Sequence, residues 1–272
     1  MSLFNNASNL FINGNSVSLA YLNGNQIFSA SVAEVGGGGG GDPIITSGLV
    51  LNLDAGDYSG TGDWLDTSGN NNDGTLVQTP TYSSNEGGYF DFTGGYYDGS
   101  GTGVYDHFRV LDDNTLDILS SLTIEMWVNI DTFNASGTVN MLFAKRGSTS
   151  NGYVGFFTNT GLTFRIGTGS PSQLSWSTTL DLNTWQQILI TVGSGGSKVY
   201  HNGVEVVDNP SYVGNFAAVD TTTNLLIGDI NPAASGIYAF NGKMSVFRMY
   251  NTILTPTEVL DNFNAVKDRY GL

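Results

Sequence analysis

Short apolar or alternating runs recur along most of the chain, and clusters of Gly, Asn, Asp, Ser and Thr separate each run from the next. From residue 48 onward these runs include LVLNLDA, YFDFTG, LTIEMWVNI, ILITVG and KMSVFRMY. Runs of this length and spacing predict β-strands, and many short strands joined by tight turns are typical of a β-sandwich. We therefore expect residues 44–272 to form one all-β domain.

The run LTIEMWVNI shows the alternation most clearly. Ile124 and Met126 share one face of the predicted strand, while Glu125 and Trp127 share the other. Side chains alternate between the two faces of a sheet, so we expect the first pair to face the core and the second to face a concave surface. Trp127 and Trp185 are expected to be packing residues rather than ligand platforms.

The C-terminal segment departs from the strand pattern. Thr255 and Glu258 have the spacing of a capping box, with Pro256 at the first helical position. An apolar stripe with helical spacing follows, made of Val259, Leu260, Phe263 and Val266. A short C-terminal helix is predicted.

The N-terminal region contains two Asn-Gly steps, at residues 13–14 and 23–24, each between apolar or β-branched residues. Asn-Gly favours two-residue hairpin turns, so residues 1–35 are predicted to form a small β-hairpin or three-stranded meander. Six glycines at 36–41, followed by Asp42 and Pro43, predict a flexible linker over residues 36–43. The competing interpretation is a tightly packed glycine-lined element.

Charge narrows the range of partners. The net charge is −15, and no Lys or Arg precedes Arg109, whereas eleven carboxylates lie between Glu34 and Asp106. Nucleic-acid affinity depends on Lys and Arg that displace counterions from phosphates, so nucleic acid and anionic membranes are poor candidate partners. The chain has no Cys, and the start MSLFNNASNL lacks the pattern of a secretory signal, so neither disulfides nor export by that route is expected.

The ordered runs resemble concanavalin A-like, laminin G-like jelly-roll domains. The matching pieces are LVLNLDAGDY with WLDTSGNNNDGTL, then FDFTG, LTIEMWVNI, the Trp-led hairpin WQQILITVGSGGSKVYHNGVEV, and the closing FNGKMSVFRMYNTILTPTEV. The resemblance covers roughly residues 48–265 and implies a jelly-roll β-sandwich. Hydrolases of this class resemble one another in a Glu-Xaa-Asp-Xaa-Xaa-Glu strand, and no Glu here has Asp two positions later. The resemblance therefore implies binding without catalysis.

The first 30 residues resemble the short N-terminal segments of bacteriophage tail, fibre and head-decoration proteins, through FINGNSVSLAYLNGNQIF. That resemblance implies attachment to other virion proteins through the apolar residues of the predicted strands. These residues are Phe11, Ile12, Tyr21, Leu22, Ile27 and Phe28.

Two regions carry candidate ligand chemistry. The Gly- and Tyr-rich segment 92–107 combines aromatic rings, which stack on sugars, with carboxylates that accept hydroxyl hydrogen bonds. Its candidate glycan-binding residues are Tyr96, Tyr97, Asp98, Tyr105, Asp106 and His107, with Trp176 as a further candidate. The alternatives without a ligand are aromatic packing between subunits and, for His107, a plain surface position.

The second region is the loop DTSGNNND, whose oxygen ligands suit a hard cation such as calcium. The candidate metal ligands are Asp66, Asn70, Asn72 and Asp73. Relatives use an additional Asp from the closing strand, where this chain has Lys243, Met244 and Ser245. The alternative is a structural turn, since Asn, Gly and Asp are common in turns. No other cofactor is expected.

The sequence thus leads to one hypothesis with two alternatives. The hypothesis is a non-enzymatic structural protein on the surface of a phage particle, as a head decoration, fibre or tail accessory. It would be oligomeric in the assembly, anchored by residues 1–35, and would display a lectin-like sandwich toward host-surface polysaccharide. The alternatives are a bacterial secreted or surface carbohydrate-binding module, and a purely architectural cement protein without a ligand.

Overall fold

The computed structural model describes residues 7–12, 15–22 and 25–29 by their backbone, and residues 43–272 with gaps at 79, 94, 98–102, 134–138, 148–150, 168–172, 220–221 and 231–237. Residues 95–97 and 103–104 are likewise described by their backbone alone. The chain divides into two compact units, residues 1–38 and 39–272.

The first unit is a three-stranded antiparallel meander, as the two Asn-Gly steps predict. Its strands are β1 (Ala7–Ile12), β2 (Asn15–Leu22) and β3 (Asn25–Ser29), in the order β1-β2-β3. The six predicted attachment residues all belong to these strands. Their side chains lie outside the described part of the chain, so attachment stays a prediction.

The described residues of the second unit form seventeen strands and one α-helix. The strands are β4 (Leu49–Asp54), β5 (Gly74–Val77), β6 (Thr81–Ser83), β7 (Tyr89–Thr93), β8 (Gly95–Tyr97), β9 (Gly103–Tyr105), β10 (His107–Val110), β11 (Leu122–Ile130), β12 (Asn140–Arg146), β13 (Gly152–Thr158), β14 (Gly161–Ile166), β15 (Leu174–Trp176), β16 (Trp185–Gly193), β17 (Gly196–His201), β18 (Val204–Asn209), β19 (Leu225–Ile227) and β20 (Asn241–Tyr250), and the helix is α1 (Pro256–Val266).

Two antiparallel sheets form the predicted sandwich. The seven-stranded sheet has the order β15-β14-β13-β12-β19-β10-β5, and the eight-stranded sheet has the order β18-β17-β16-β11-β20-β7-β6, with β4 also paired to β20. The long strand β20 pairs with β11 along one edge and with β7 and β4 along the other. A separate hairpin joins β8 and β9.

The core lies between the two sheets and is rich in aromatic rings. Trp64, Phe90 and Phe108 are fully buried, with ring centroids 4.7–4.9 Å apart. Tilted and edge-on contacts of this kind suit the ring quadrupoles. Ile124 and Met126 of β11 also face this core, as their alternation predicts.

Helix α1 begins at the predicted capping box. The Thr255 hydroxyl accepts a hydrogen bond from the Glu258 backbone N–H, and the Glu258 carboxylate accepts one from the Thr255 backbone N–H. Val259 and Val266 are buried against the eight-stranded sheet, but Leu260 is exposed, so the predicted apolar stripe is wrong at that position. None of the helices in the described residues has the length and apolar content that a bilayer crossing requires.

Candidate functional site

The outer face of the seven-stranded sheet carries the side chains that point away from the core. On β10, Phe108 and Val110 are core residues, so His107 and Arg109 lie on the opposite face. The same alternation places Leu226 of β19 on that face, between the core residues Leu225 and Ile227.

A row of cross-strand partners runs across five strands of this face. Arg109 pairs with Leu226, which also pairs with Ala144 of β12. Ala144 pairs with Val154 of β13, and Val154 pairs with Arg165 of β14. The row therefore has an arginine at each end and three aliphatic side chains between them.

Aromatic side chains lie along the same outer face. Phe156 and Tyr238 are partly buried and pack against the buried cluster of Met141, Ala144 and Val154. The guanidinium of Arg165 lies 5.2 Å from the centre of the Phe156 ring. It also donates to the Gln173 side-chain oxygen from Nε at 3.3 Å and from Nη2 at 2.9 Å.

A cleft of about 500 Å³ opens beside this row. Its lining includes Tyr105, His107, Arg109, Arg146 and Leu226, together with Asp229 beyond the end of β19. An apolar floor with a few converging polar groups is the usual make-up of a small-ligand site. This cleft is therefore the candidate site.

His107 and Asp229 form the polar base of the cleft. Nδ1 of His107 lies 2.9 Å from the Tyr105 carbonyl oxygen, which can only accept, so Nδ1 carries a proton and donates. The same nitrogen lies 4.0 Å from Oδ2 of Asp229. Oδ1 of Asp229 accepts from the Ile230 backbone N–H, whereas Oδ2 has no hydrogen-bond partner among the described residues.

Burial shifts the pKa of two groups in the cleft. The pKa of Asp229 is raised because burial disfavours the carboxylate, although the Ile230 N–H and the nearby His107 oppose that shift. The pKa of Arg146 is lowered by burial and by the charge of Arg165. Arg109 is exposed and makes no ion pair within the described residues.

The structure separates the predicted glycan-binding residues. Tyr105 and His107 line the cleft, and both are buried at its base, so a plain surface position for His107 is wrong. Asp106 points elsewhere, because its Oδ2 accepts from the Thr93 backbone N–H at 3.0 Å and from the Thr93 hydroxyl at 2.7 Å. Asp106 therefore anchors β10 to the end of β7.

Three further candidates belong to the Gly- and Tyr-rich segment. Tyr96 and Tyr97 lie on β8, with side chains that are not described, and Asp98 lies outside the described residues. Their proposed contact with a glycan stays a prediction.

Trp176 does not lie on the outer face. It packs against the core side of the sandwich, and its ring centroid lies 5.0 Å from that of His201. Nε2 of His201 is in turn 3.1 Å from the Gln186 side-chain oxygen. Trp176 therefore closes the rim between the two sheets.

The oxygen-rich loop uses its ligand atoms internally. The Asp66 carboxylate accepts from the backbone N–H groups of Asn52, Ser68 and Asn72 at 2.8–2.9 Å. The Asp73 carboxylate accepts from the Asp66 backbone N–H at 2.7 Å.

The amide side chains of the same loop are also engaged. Those of Asn70 and Asn72 each donate to the Val50 carbonyl oxygen at 3.1 Å. No group of three or more His, Asp or Glu in the described ranges could hold a metal ion. These bonds favour the structural-turn interpretation, in which the loop ties residues 66–73 to β4.

Glu125 cannot act on a ligand from its position. The alternation along β11 predicted a concave surface on its second face, and this prediction is wrong. Helix α1 and the following turn Lys267–Tyr270 cover that face. Glu125 and Trp127 are fully buried there. The Phe263 ring stacks on Trp127 at 5.6 Å, so Trp127 is a packing residue, as expected.

Sequence reasoning missed Arg109, Arg146 and Asp229. Arg109 stands between Phe108 and Val110 in the run HFRVLD, and this alternation was the signal that it points away from the core. Asp229 gave no such signal, because it follows the short strand β19 and its position depends on the pairing of β19 with β10 and β12.

Solved structures share this fold. The binding domain of botulinum neurotoxin DC, in complex with rat synaptotagmin II, superposes with a TM-score of 0.65 at 16% identity, over 82% of this chain and 52% of that one. Domain 4 of AbnA, a GH43 extracellular arabinanase from Geobacillus stearothermophilus, in complex with arabinotriose, gives 0.55 at 19% identity, over 79% and 97%. The chain thus spans about half the length of the neurotoxin binding domains that it matches.

Sequence comparison identifies the family. No curated protein sequence matches the chain. A laminin G family model, described as the concanavalin A-like lectin/glucanases superfamily, matches residues 98–260. That range begins in the Gly- and Tyr-rich segment and ends within α1. The chain belongs to the concanavalin A-like lectin/glucanase superfamily.

Proposed function

We propose that the protein is a non-enzymatic carbohydrate-binding module. The observation that carries this proposal is the cleft on the outer face of the seven-stranded sheet. Its lining combines the apolar side chain of Leu226 with Tyr105, His107 and Asp229, whose side chains carry polar groups. A saccharide needs both, because it presents apolar C–H faces together with hydroxyl groups.

Relatives of the same fold support a binding role. The AbnA domain was solved with arabinotriose bound, and a related neurotoxin binding domain was solved in complex with SialylT. These ligands are those of the two neighbours and not of this chain. They support a saccharide as the first class of ligand to test.

The chemistry of the cleft argues against hydrolysis. Glycoside hydrolysis generally uses two carboxyl groups that flank the scissile bond, about 5–9.5 Å apart. Asp229 is the one carboxylate among the described residues that line the cleft. Glu125 of β11, on the other sheet, is fully buried beneath α1 and cannot reach a ligand in the cleft.

We further propose that the first unit attaches this module to the surface of a phage particle. The meander has about thirty residues, and a unit of that size gains stability by docking on a larger surface. Six glycines separate it in sequence from the sandwich, which suits a module that reaches outward. Repeated attachment on a particle would bring several copies together.

Binding can be tested with a glycan array and with a variant that fills the cleft. We expect the intact chain to bind a subset of saccharides and Leu226→Trp to lose that binding. Val206→Trp, at a partly exposed position of β18 on the other sheet, is the matched control and keeps it. A blank array for the intact chain, with and without calcium, would refute the binding proposal and favour a cement protein.

Attachment can be tested by removing residues 1–35. We expect the shortened chain to fold, with the melting temperature of the sandwich, and to fail to incorporate into particles. Unchanged incorporation would contradict the attachment proposal. Absence of the intact chain from particles would favour a bacterial carbohydrate-binding module.

A further inference from the structure

The outer face of the seven-stranded sheet concentrates positive charge in a chain that is strongly negative. The sequence has nine Lys and Arg residues against twenty-four Asp and Glu. Arg109 and Arg165 close the two ends of the cross-strand row. Arg146 follows Ala144 by two positions on β12 and, with Arg109, lines the cleft.

Arg109 carries a positive charge that no carboxylate of the described residues pairs with. Its side chain is exposed on the outer face. By contrast, Arg248 and Arg269 are paired with Asp54 on the other sheet, and Lys145 is paired with Asp112 and Asp117. Lys145 thereby offsets part of the negative charge of Asp112 and Asp117.

Arg165 lies close enough to Arg146 for its charge to disfavour that of Arg146. The pKa of Arg146 is lowered by burial and by Arg165. Like charges that approach on one face are unfavourable until an anion lies between or beside them. An arginine fork suits carboxylate and sulfate groups because it donates two parallel hydrogen bonds.

We propose that the cleft selects a saccharide that carries one acidic group, a carboxylate or a sulfate, with Arg109 and Arg146 as the residues that bind it. This inference rests on the proposed carbohydrate binding. The free Oδ2 of Asp229 lies in the same cleft and accepts a hydrogen bond from a hydroxyl of the same ligand. The cleft thus offers donors for an acid and an acceptor for a hydroxyl.

The ligand carries sparse rather than dense charge. A net charge of −15 repels a polyanion at long range, and this repulsion persists over about 8–10 Å at ordinary salt. A single acidic group interacts with the arginines at contact distance, where their attraction outweighs the long-range repulsion. Asp229 also disfavours a second acidic group in the cleft.

The test compares acids with their neutral esters. The probes are oligosaccharides with one terminal glucuronate or sialate, each beside its methyl ester, and a singly sulfated oligosaccharide beside its unsulfated form. We expect the intact chain to bind each acidic probe at least tenfold more tightly than its neutral form. Binding confined to the sulfated pair or to the carboxylated pair identifies the acidic group.

Substitution assigns the preference to the arginines. Arg109→Gln and Arg146→Gln are each expected to weaken binding of the acid by about tenfold or more, since a charge-assisted hydrogen bond contributes about 1.5–3 kcal/mol and 1.4 kcal/mol is a factor of ten. Binding of the ester stays unchanged. Lys198→Gln, which removes one positive charge from the other sheet, is the matched control and leaves both affinities unchanged.

A salt series on the intact chain does not depend on any variant. We expect binding of the acid to weaken as NaCl rises from about 50 to 500 mM, while binding of the ester stays constant. Equal affinity for acid and ester would overturn this inference and leave carbohydrate binding intact. Binding of neither probe, together with a blank glycan array, would refute the proposed function itself.

Discussion

Replacing Glu125 by Gln tests the buried polar network beneath α1. Oε1 of Glu125 accepts from the side chains of Trp127 at 3.3 Å, Gln187 at 2.9 Å and Arg248 at 3.4 Å. Oε2 accepts from the Asn262 side chain at 2.8 Å. All four of these partners are donors, so an amide NH₂ group at either oxygen position would face donors instead of an acceptor.

The cost follows from burial and from charge. The exposed fraction of Glu125 is 0% and that of Arg248 is 1%, so water cannot replace the lost interaction. Removing one partner of a buried ion pair costs about 3–5 kcal/mol, because the other charge stays buried. Asp54 still faces Arg248 at 3.2 Å and moderates that cost toward the lower end. For a domain of this size, about 3–5 kcal/mol corresponds to a fall of roughly 6–20 °C in melting temperature.

Equilibrium denaturation in urea, followed by tryptophan fluorescence, measures the change in the free energy of unfolding. The matched control is Glu205→Gln, the same chemical change in an exposed pair with Lys198 at 2.8 Å. Exposed pairs contribute about 0–1 kcal/mol, so the control should remain close to the unsubstituted chain. Equal losses in the two variants would refute the reasoning that burial makes the Glu125 network expensive to break.

Three further predictions address other parts of the sandwich. Hydrogen bonds and the charges of Arg269 and Arg248 lower the pKa of Asp54, against the opposing effect of burial. The ionised Asp54 carboxylate therefore stabilises the fold fully above pH 3.8, the pKa of an ordinary Asp. This contribution is lost as the pH falls through the lower pKa of the folded state. Arg269→Met should therefore reduce stability at pH 7 and reduce the further loss on acidification, as seen in melting temperatures at pH 7 and pH 3. Asp66→Asn should cost about 2 kcal/mol by urea denaturation, because hydrogen bonds to a charged acceptor are lost, and calcium or EGTA should leave the melting temperature of the intact chain unchanged. Gly152→Ala should cost at least about 1–3 kcal/mol by the same measurement, because Gly152 has φ +123° and a Cβ atom there would collide with the Lys145 carbonyl oxygen.

Each of these predictions has a result that contradicts it. A parallel loss of stability in Arg269→Met at both pH values would show that the pair with Asp54 does not set the acid response. A rise of several degrees on adding calcium would show that the loop binds the ion after all. An unchanged Gly152→Ala variant would mean that the β12–β13 connection adapts to a side chain.

The fold could be predicted from sequence because its signals are local. Alternation along runs such as LTIEMWVNI specifies strands, and the Thr255–Glu258 pair specifies the start of α1. What covers the second face of β11 is not a local property. Asn262 of α1, which contacts Glu125, lies 137 positions further along the chain. The alternation within β11 therefore could not predict that α1 covers this face.

The candidate site could be predicted only in part, because some of its residues share a local segment and others meet through the strand order. Tyr105 and His107 were found through their composition, since aromatic and polar residues are concentrated in one segment. Arg109 and Arg146 lie on strands separated by β19, and they meet in one cleft through the order β12-β19-β10. For the oxygen-rich loop, composition alone was misleading. Its residues suited a bound ion, but their hydrogen-bond partners are Asn52 and Val50 of β4.

The pairing of β4 with β20 has a consequence for how the protein reaches its native state. Strand β4 begins at Leu49 and pairs with the segment that ends at Tyr250, and Asp54 bonds Arg269 across 215 positions. Contacts so distant in sequence slow folding, because a long loop must be closed before the contact stabilises it. On the ribosome, β4 is synthesised early yet stays without its partner until almost the whole domain has emerged. A stop or a stall before residue 241 would therefore leave this strand edge unpaired and prone to aggregation.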